Sequence, residues 1–135
     1  MRERSFLALM HHPTLDREGR IISSAVTALD LHDLSRLART YGLGGVFAQT
    51  NLPLQAALVE RLMAHWVRGA GAEMNPNRRE ALEGLSLVAS LDEAVGRLES
   101  RFGAPPFLVA TSARGEGERI SFAEARELFR KTERP

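Results

Sequence analysis

The sequence predicts an α/β fold, a mainly parallel sheet with flanking helices. Three observations carry this. Short apolar runs alternate with longer helical patterns along the chain. Those runs are apolar throughout rather than at every second residue, as strands covered on both faces require. Two S-x-x-E sequences, Ser90–Glu93 and Ser121–Glu124, open helical stretches as capping boxes. The predicted order is β-α-β-α-β-α-β-α, the alternation of parallel strands joined by helical crossovers.

Ser5–Met10 (SFLALM) reads as the first strand, and Pro13 and Gly19 mark the loop after it. Residues Ile21–Ser24 are extended. Asp30–Tyr41 reads as a helix because Leu31, Leu34, Leu37 and Ala38 recur at helical spacing. Thr27 or Asp30 is its N-cap, and Gly42 sits where a left-handed residue ends a helix. Gly45–Thr50 (GVFAQT) is the second strand. Pro53 opens the next helix, losing no needed N–H there, and Leu54, Leu58, Leu62 and Trp66 share roughly one face. RGAGAEMNP reads as a loop, and Asn75 caps a short helix opened by Pro76. Leu85–Ala89 is the third strand, followed by a helix from Ser90 to near Gly103. Pro106–Ala110 (PFLVA) is the fourth strand, and the last helix runs from Ser121 to about Lys131.

No linker, repeat or low-complexity tract divides the chain, so residues 1–135 read as a single domain. The 18 Lys and Arg against 17 Asp and Glu leave a net charge of +1, which argues against a uniformly basic nucleic-acid surface but not against a local patch. With no cysteine, disulfides, thiolate metal sites and cysteine nucleophiles are excluded, and a reducing cytoplasm fits. No apolar run reaches the length of a membrane span, and Met1–Met10 is too short in apolar residues for a secretory signal.

In open parallel sheets, ligands bind beyond the carboxyl ends of the strands. The loops that matter are therefore His11–Arg20, Asn51–Pro53, Ser90–Asp92 and Thr111–Arg119. His11, His12 and Asp16 match no closed zinc pattern, and the expectation is no metal; each His reads as a strand-end ring with local hydrogen bonds. The fingerprints GxGxxG, GxxxxGK[ST] and GxSxG are absent. Arg36 and Arg39, one turn apart, can hold a phosphate backbone; the plain alternative is a solvated face with Asp33 paired to Arg36. Thr111–Arg114 (TSAR) follows an apolar run. Its small residues leave backbone N–H groups accessible, and Arg114 offers a planar donor fork for carboxylate or phosphate. The alternative is a plain solvent loop.

Together, HHPTLDREGRIISSAVTALDLHDLSRLARTYGL, TNLPLQ, His65-Trp66, NPNRREAL and PPFLVATSAR resemble one family, the bacterial SPOUT-type S-adenosylmethionine-dependent RNA methyltransferases. The resemblance runs from about Phe6 to Arg114 and rests on the order and separation of these elements. It implies an α/β fold with a C-terminal trefoil knot, a homodimer, an RNA substrate and S-adenosylmethionine held by three loops. By resemblance Asn51, Leu52 and Pro53 form the first cofactor loop, and Thr111, Ser112 and Ala113 the second. The third, a Gly-rich loop with Trp resembling GTGWGL, has no counterpart here, since the single Trp is Trp66. The expectation is a chain lacking the C-terminal part of the knot. It would bind the cofactor weakly or not at all, and self-associate through an unpaired edge or the helix Ser121–Lys131.

Methyl transfer from a sulfonium needs alignment of the nucleophile and removal of its proton. Asp30, Asp33 and His12 qualify as bases by residue type, and the catalytic residue stays unassigned among them. Arg36, Arg39 and Arg114 are the expected RNA contacts. Two other readings compete: a non-catalytic RNA-binding module and a protein-interaction α/β module.

Overall fold

The computed structural model describes residues 2–132 and 135. After a short 3-10 turn at Arg2–Arg4, the first apolar run forms β1 (Phe6–Met10). The chain then folds back as a two-residue antiparallel ribbon, β2 (Thr14–Leu15) with β3 (Ile21–Ile22). Its turn is held by the Asp16 carboxylate, which accepts the N–H groups of Glu18 and Arg20. There follow α1 (Ala28–Tyr41), β4 (Gly45–Gln49) and α2 (Pro53–Met63), then a π-helical turn, Ala64–Arg68. The chain continues through α3 (Ala70–Met74), α4 (Pro76–Leu82), β5 (Leu85–Val88), α5 (Leu91–Phe102) and α6 (Phe122–Lys131).

The three longer strands form one parallel sheet in the order β1-β4-β5. β4 lies in the middle and is buried at all its residues, which is why its sequence is apolar on both faces. The alternation of side chains across a strand sorts the core into two layers. Val46 and Ala48 of β4 and Leu85 of β5 face a core shared with Val26, Leu31, Ala38, Val59 and Leu82. Phe47 and Val88 face the other way, against Ala94 and Leu98 of α5, with Phe6 and Phe102 alongside. Helices thus cover both faces, α1, α2 and α4 on one and α5 on the other. β4 approaches the residue before β5 closely at Gly45. Its φ is +153°, and a Cβ there would sit 2.7 Å from the Gly84 carbonyl oxygen, so only glycine fits.

The helix ends follow the local sequence. Thr27, not Asp30, is the N-cap of α1: its hydroxyl accepts the N–H of Asp30, and Gly42 closes the helix at φ 66°. Asn75 caps α4 through the Arg78 N–H, and Gly103 ends α5 at φ 73°. Ser121 and Glu124 form the reciprocal box. At α5 half of the box is redirected. Ser90 accepts the Glu93 N–H, but the Glu93 carboxylate takes the N–H of Ala89, not that of Ser90. This ties the end of β5 to the start of α5.

Besides the Ser90 box, two expectations are corrected. Pro106–Ala110 is not a strand: Phe107, Leu108 and Val109 are 46%, 57% and 44% exposed. An apolar run becomes a strand only against an edge that pairs with it. Here Phe107 instead donates its N–H to the Pro135 carbonyl, and Pro105 and Pro106 offer no N–H at all. The segment RGAGAEMNP is not all loop, since Ala70–Met74 forms α3, whose Gly71 lies tight against Trp66 and His65. The buried face of α2 lies to one side of the row Leu54, Leu58, Leu62 and Trp66. Leu54 is 85% exposed and Leu58 is 44% exposed, whereas Val59 is fully buried and Leu62, Met63, Trp66 and Val67 pack on the core. Residues four apart drift about 40° per step around a helix, so a row begun at Leu54 reaches the core only near its end.

Candidate active site

The carboxyl ends of β1 and β4 carry a polar cluster built around Gln49. This residue ends an apolar strand and is only 1% exposed, so its amide must be satisfied inside the protein. Its Oε1 accepts the N–H groups of His11 (3.0 Å) and His12 (2.9 Å), and its Nε2 donates to the Ala89 carbonyl (2.9 Å). One side chain thereby joins the ends of all three parallel strands.

The two His rings diverge onto separate serines. The His11 ring meets Ser24 at Nδ1 (2.9 Å), and the His12 ring meets Ser23 at Nδ1 (3.0 Å). The strand-end reading of both residues is thus correct. Ser23 donates in turn to Asn51 Oδ1 (2.8 Å). Gln55 Oε1 accepts the Val26 N–H (2.8 Å), and Thr50 Oγ1 accepts the Leu52 N–H (3.2 Å). The loop Asn51–Pro53 is therefore fastened to the segment after β3 on both sides. His11 is buried, with an Nε2 that has no partner among the described residues. Burial lowers its pKa, opposed by the nearby Asp30 carboxylate, so the ring is held neutral.

Among the described residues, the other predicted binding residues make no hydrogen bond to this cluster. Thr111, Ser112, Ala113 and Arg114 are exposed; within the segment, Ser112 Oγ accepts the Arg114 N–H. Among the described residues no hydrogen bond links them to Asn51–Pro53. Arg36 and Arg39 stand exposed on α1. Arg39 is paired with Glu80 of α4, while the Arg36 side chain has no partner among the described residues, Asp33 included. Beside them the π-helical turn places Trp66 under the Arg78 guanidinium (4.4 Å) and against His65 (4.6 Å). His32, edge-on to Trp66 at 6.0 Å, has its pKa lowered by burial and then by Arg78 and Arg36.

The sequence reading passed over Gln49, Ser23 and Ser24, and Gln55 entered it only within the TNLPLQ element of the resemblance. A glutamine closing a wholly apolar strand was the legible signal for the first; nothing local marks the serines.

Residues 4–135 match the family of SAM-dependent RNA methyltransferases. A tRNA (guanine-N(1)-)-methyltransferase of Oleidesulfovibrio alaskensis is 38% identical over 125 residues, 93% of this chain and 29% of that protein. One of the same name from Nitratidesulfovibrio vulgaris is 38% identical over 112 residues, 83% of this chain and 26% of that protein. An uncharacterized protein of Aquifex aeolicus is 32% identical over 132 residues, 98% of this chain and 64% of the relative. The chain spans less than a third of the length of the two tRNA methyltransferases. With a match over nearly its whole length, on a parallel α/β sheet with a polar cluster at the strand ends, this chain belongs to the SAM-dependent RNA methyltransferase family.

Proposed function

We propose that residues 1–135 form a SPOUT-type methyltransferase domain that transfers a methyl group from S-adenosylmethionine to RNA in the cytoplasm, with tRNA as the first substrate to test. The observation that carries this is the family match over residues 4–135. The names of the two relatives direct the choice of tRNA. The SPOUT class, its knot and its homodimer rest on the order of motifs described above.

The donor set supports a cofactor of this kind. The Asn51 loop offers neutral amide and hydroxyl groups in a held geometry, with the exposed Leu52 beside them. Such groups suit a ligand with hydrogen-bonding edges and an apolar base. We assign Asn51, Leu52 and Pro53 to hold one side of S-adenosylmethionine and Thr111, Ser112 and Ala113 to meet the other. The bound cofactor would supply a methyl group on a cationic sulfur. Because the second loop is exposed, affinity is expected to be weak. Arg36, Arg39 and Arg114 would contact RNA phosphates, Arg39 after release from Glu80.

The test is transfer of labelled methyl from S-adenosylmethionine, at high concentration, to unmodified bacterial tRNA, alongside calorimetric titration of the cofactor. Incorporation with weak saturable binding is expected. No transfer and no cofactor binding would refute the reading. Salt-dependent RNA binding without either would leave the non-catalytic RNA-binding module, and loss of RNA binding as well would leave the protein-interaction module. Light scattering across concentrations tests the dimer.

A further inference from the structure

The three residues that qualify as bases by type are placed very differently. Asp30 and Asp33 are exposed in the first turns of α1, and neither carboxylate makes a hydrogen bond or ion pair among the described residues. His12 is half-buried just beyond β1 and is held at two points, its N–H on Gln49 Oε1 and its ring on Ser23 Oγ. His11 beside it is sealed: its Nε2 is buried and has no partner among the described residues.

The hydrogen bonds set the ring's protonation pattern. Ser23 has one hydroxyl proton, and it goes to Asn51 Oδ1 at 2.8 Å. Its oxygen can therefore only accept from His12, so the 3.0 Å contact is Nδ1–H donating to Oγ. A neutral imidazole with its proton on Nδ1 carries its lone pair on Nε2. Among the described residues that nitrogen has no protein partner, and His12 is itself only half-buried.

We propose that His12 is the catalytic proton acceptor of this domain, with Ser23 and Asn51 as positioning residues that fix its tautomer. The chemistry rests on the methyltransferase reading; the tautomer rests on the hydrogen bonds alone. The balance closes. The RNA nucleophile loses an N–H or O–H proton, and the electron pair of that atom forms the new bond to carbon. The carbon–sulfur bond breaks with its pair going to sulfur, which becomes neutral. The released proton binds the Nε2 lone pair of His12, and the positive charge moves from sulfur to imidazolium. The cation is then donor at both nitrogens, and its Nδ1–H stays on Ser23. Asn51 thus serves two ends of one site, the cofactor loop through its backbone and the base through its side chain.

Ring NMR of the full chain, with His12→Asn to assign the signal, reads the tautomer without any cofactor or RNA. The Nδ1–H form is expected for His12, moving toward the Nε2–H form in Ser23→Ala and retained in Asn51→Asp, which keeps an acceptor for the serine proton. An Nε2–H ring in the unaltered chain would overturn the proposal. In the transfer assay with labelled cofactor and bacterial tRNA, His12→Asn should lower kcat at least 100-fold while cofactor affinity changes less than threefold. Ser23→Ala should lower kcat about tenfold with KM held. Unchanged kcat in His12→Asn, or its loss in Asp30→Asn instead, overturns the assignment. If the unaltered chain neither binds cofactor nor transfers methyl, the methyltransferase reading falls and the catalytic role with it, whatever tautomer the ring shows.

Discussion

Replacing Gln49 with Leu should unfold the strand ends at a cost that can be worked from its partners. The substitution keeps side-chain bulk but removes three hydrogen bonds, from the His11 and His12 N–H groups and to the Ala89 carbonyl. His11 is 5% exposed, so its N–H is left without water, at a cost of about 2 kcal/mol. His12 is half-buried and Ala89 exposed; water repairs these two bonds, leaving a loss of about 0.5–1 kcal/mol each. Burial of the leucine returns about 1 kcal/mol. The net loss is about 2–3 kcal/mol. With a urea dependence of about 1.5 kcal/mol per molar for a chain of this size, the midpoint should fall by roughly 1.5–2 M. Urea titration followed by circular dichroism measures it. A shift below about 0.5 M, a third or less of that expected, would show that Gln49 is not the clamp described. Gln49→Glu gives an internal control. It keeps the acceptor but sets a second oxygen against the Ala89 carbonyl, so protonation should restore the missing donor. Its deficit should shrink as pH falls.

Other outcomes are expected on the same grounds. Gly45→Ala forces a Cβ to 2.7 Å from the Gly84 oxygen at φ +153° and should cost more than about 2 kcal/mol, read from the same urea titration; a near-neutral result would refute the close approach of β4 to Gly84. His11 and His32 both have pKa values lowered chiefly by burial, so the folded state binds fewer protons than the unfolded one. Stability should therefore fall as pH drops below 6.5; equal urea midpoints at pH values of about 7.5 and 5.5, either side of the ordinary His range, would contradict it. Asp16, Glu93 and Glu124 accept backbone N–H bonds that lower their pKa, so their contribution is lost only at lower pH. Ala at both Arg36 and Arg39 should weaken RNA binding and reduce the salt slope by about one unit for each phosphate left without its arginine. An unchanged slope in filter binding would leave those arginines as surface residues.

Features that depend on neighbours along the chain can be read from the amino-acid order alone. The caps at Asn75, Ser90 and Ser121, the pair Thr27 or Asp30 for α1, and the left-handed Gly42 were legible because each satisfies backbone groups within one turn. So were β1, β4 and β5 as runs apolar on both faces, and with them the parallel α/β class. PFLVA carries the same local signal yet forms no strand, because pairing is supplied by an edge elsewhere. The row Leu54–Leu58–Leu62–Trp66 has helical spacing, but which arc of α2 is buried was decided by how it lies against the sheet. The site shows the division most clearly. His12 and Asn51 could be singled out by type and loop position, but Ser23 joins them only because β2 and β3 return the chain to the end of β1. A hydrogen bond between residues 28 positions apart leaves no periodicity behind. The tertiary fold alone brought those groups within reach.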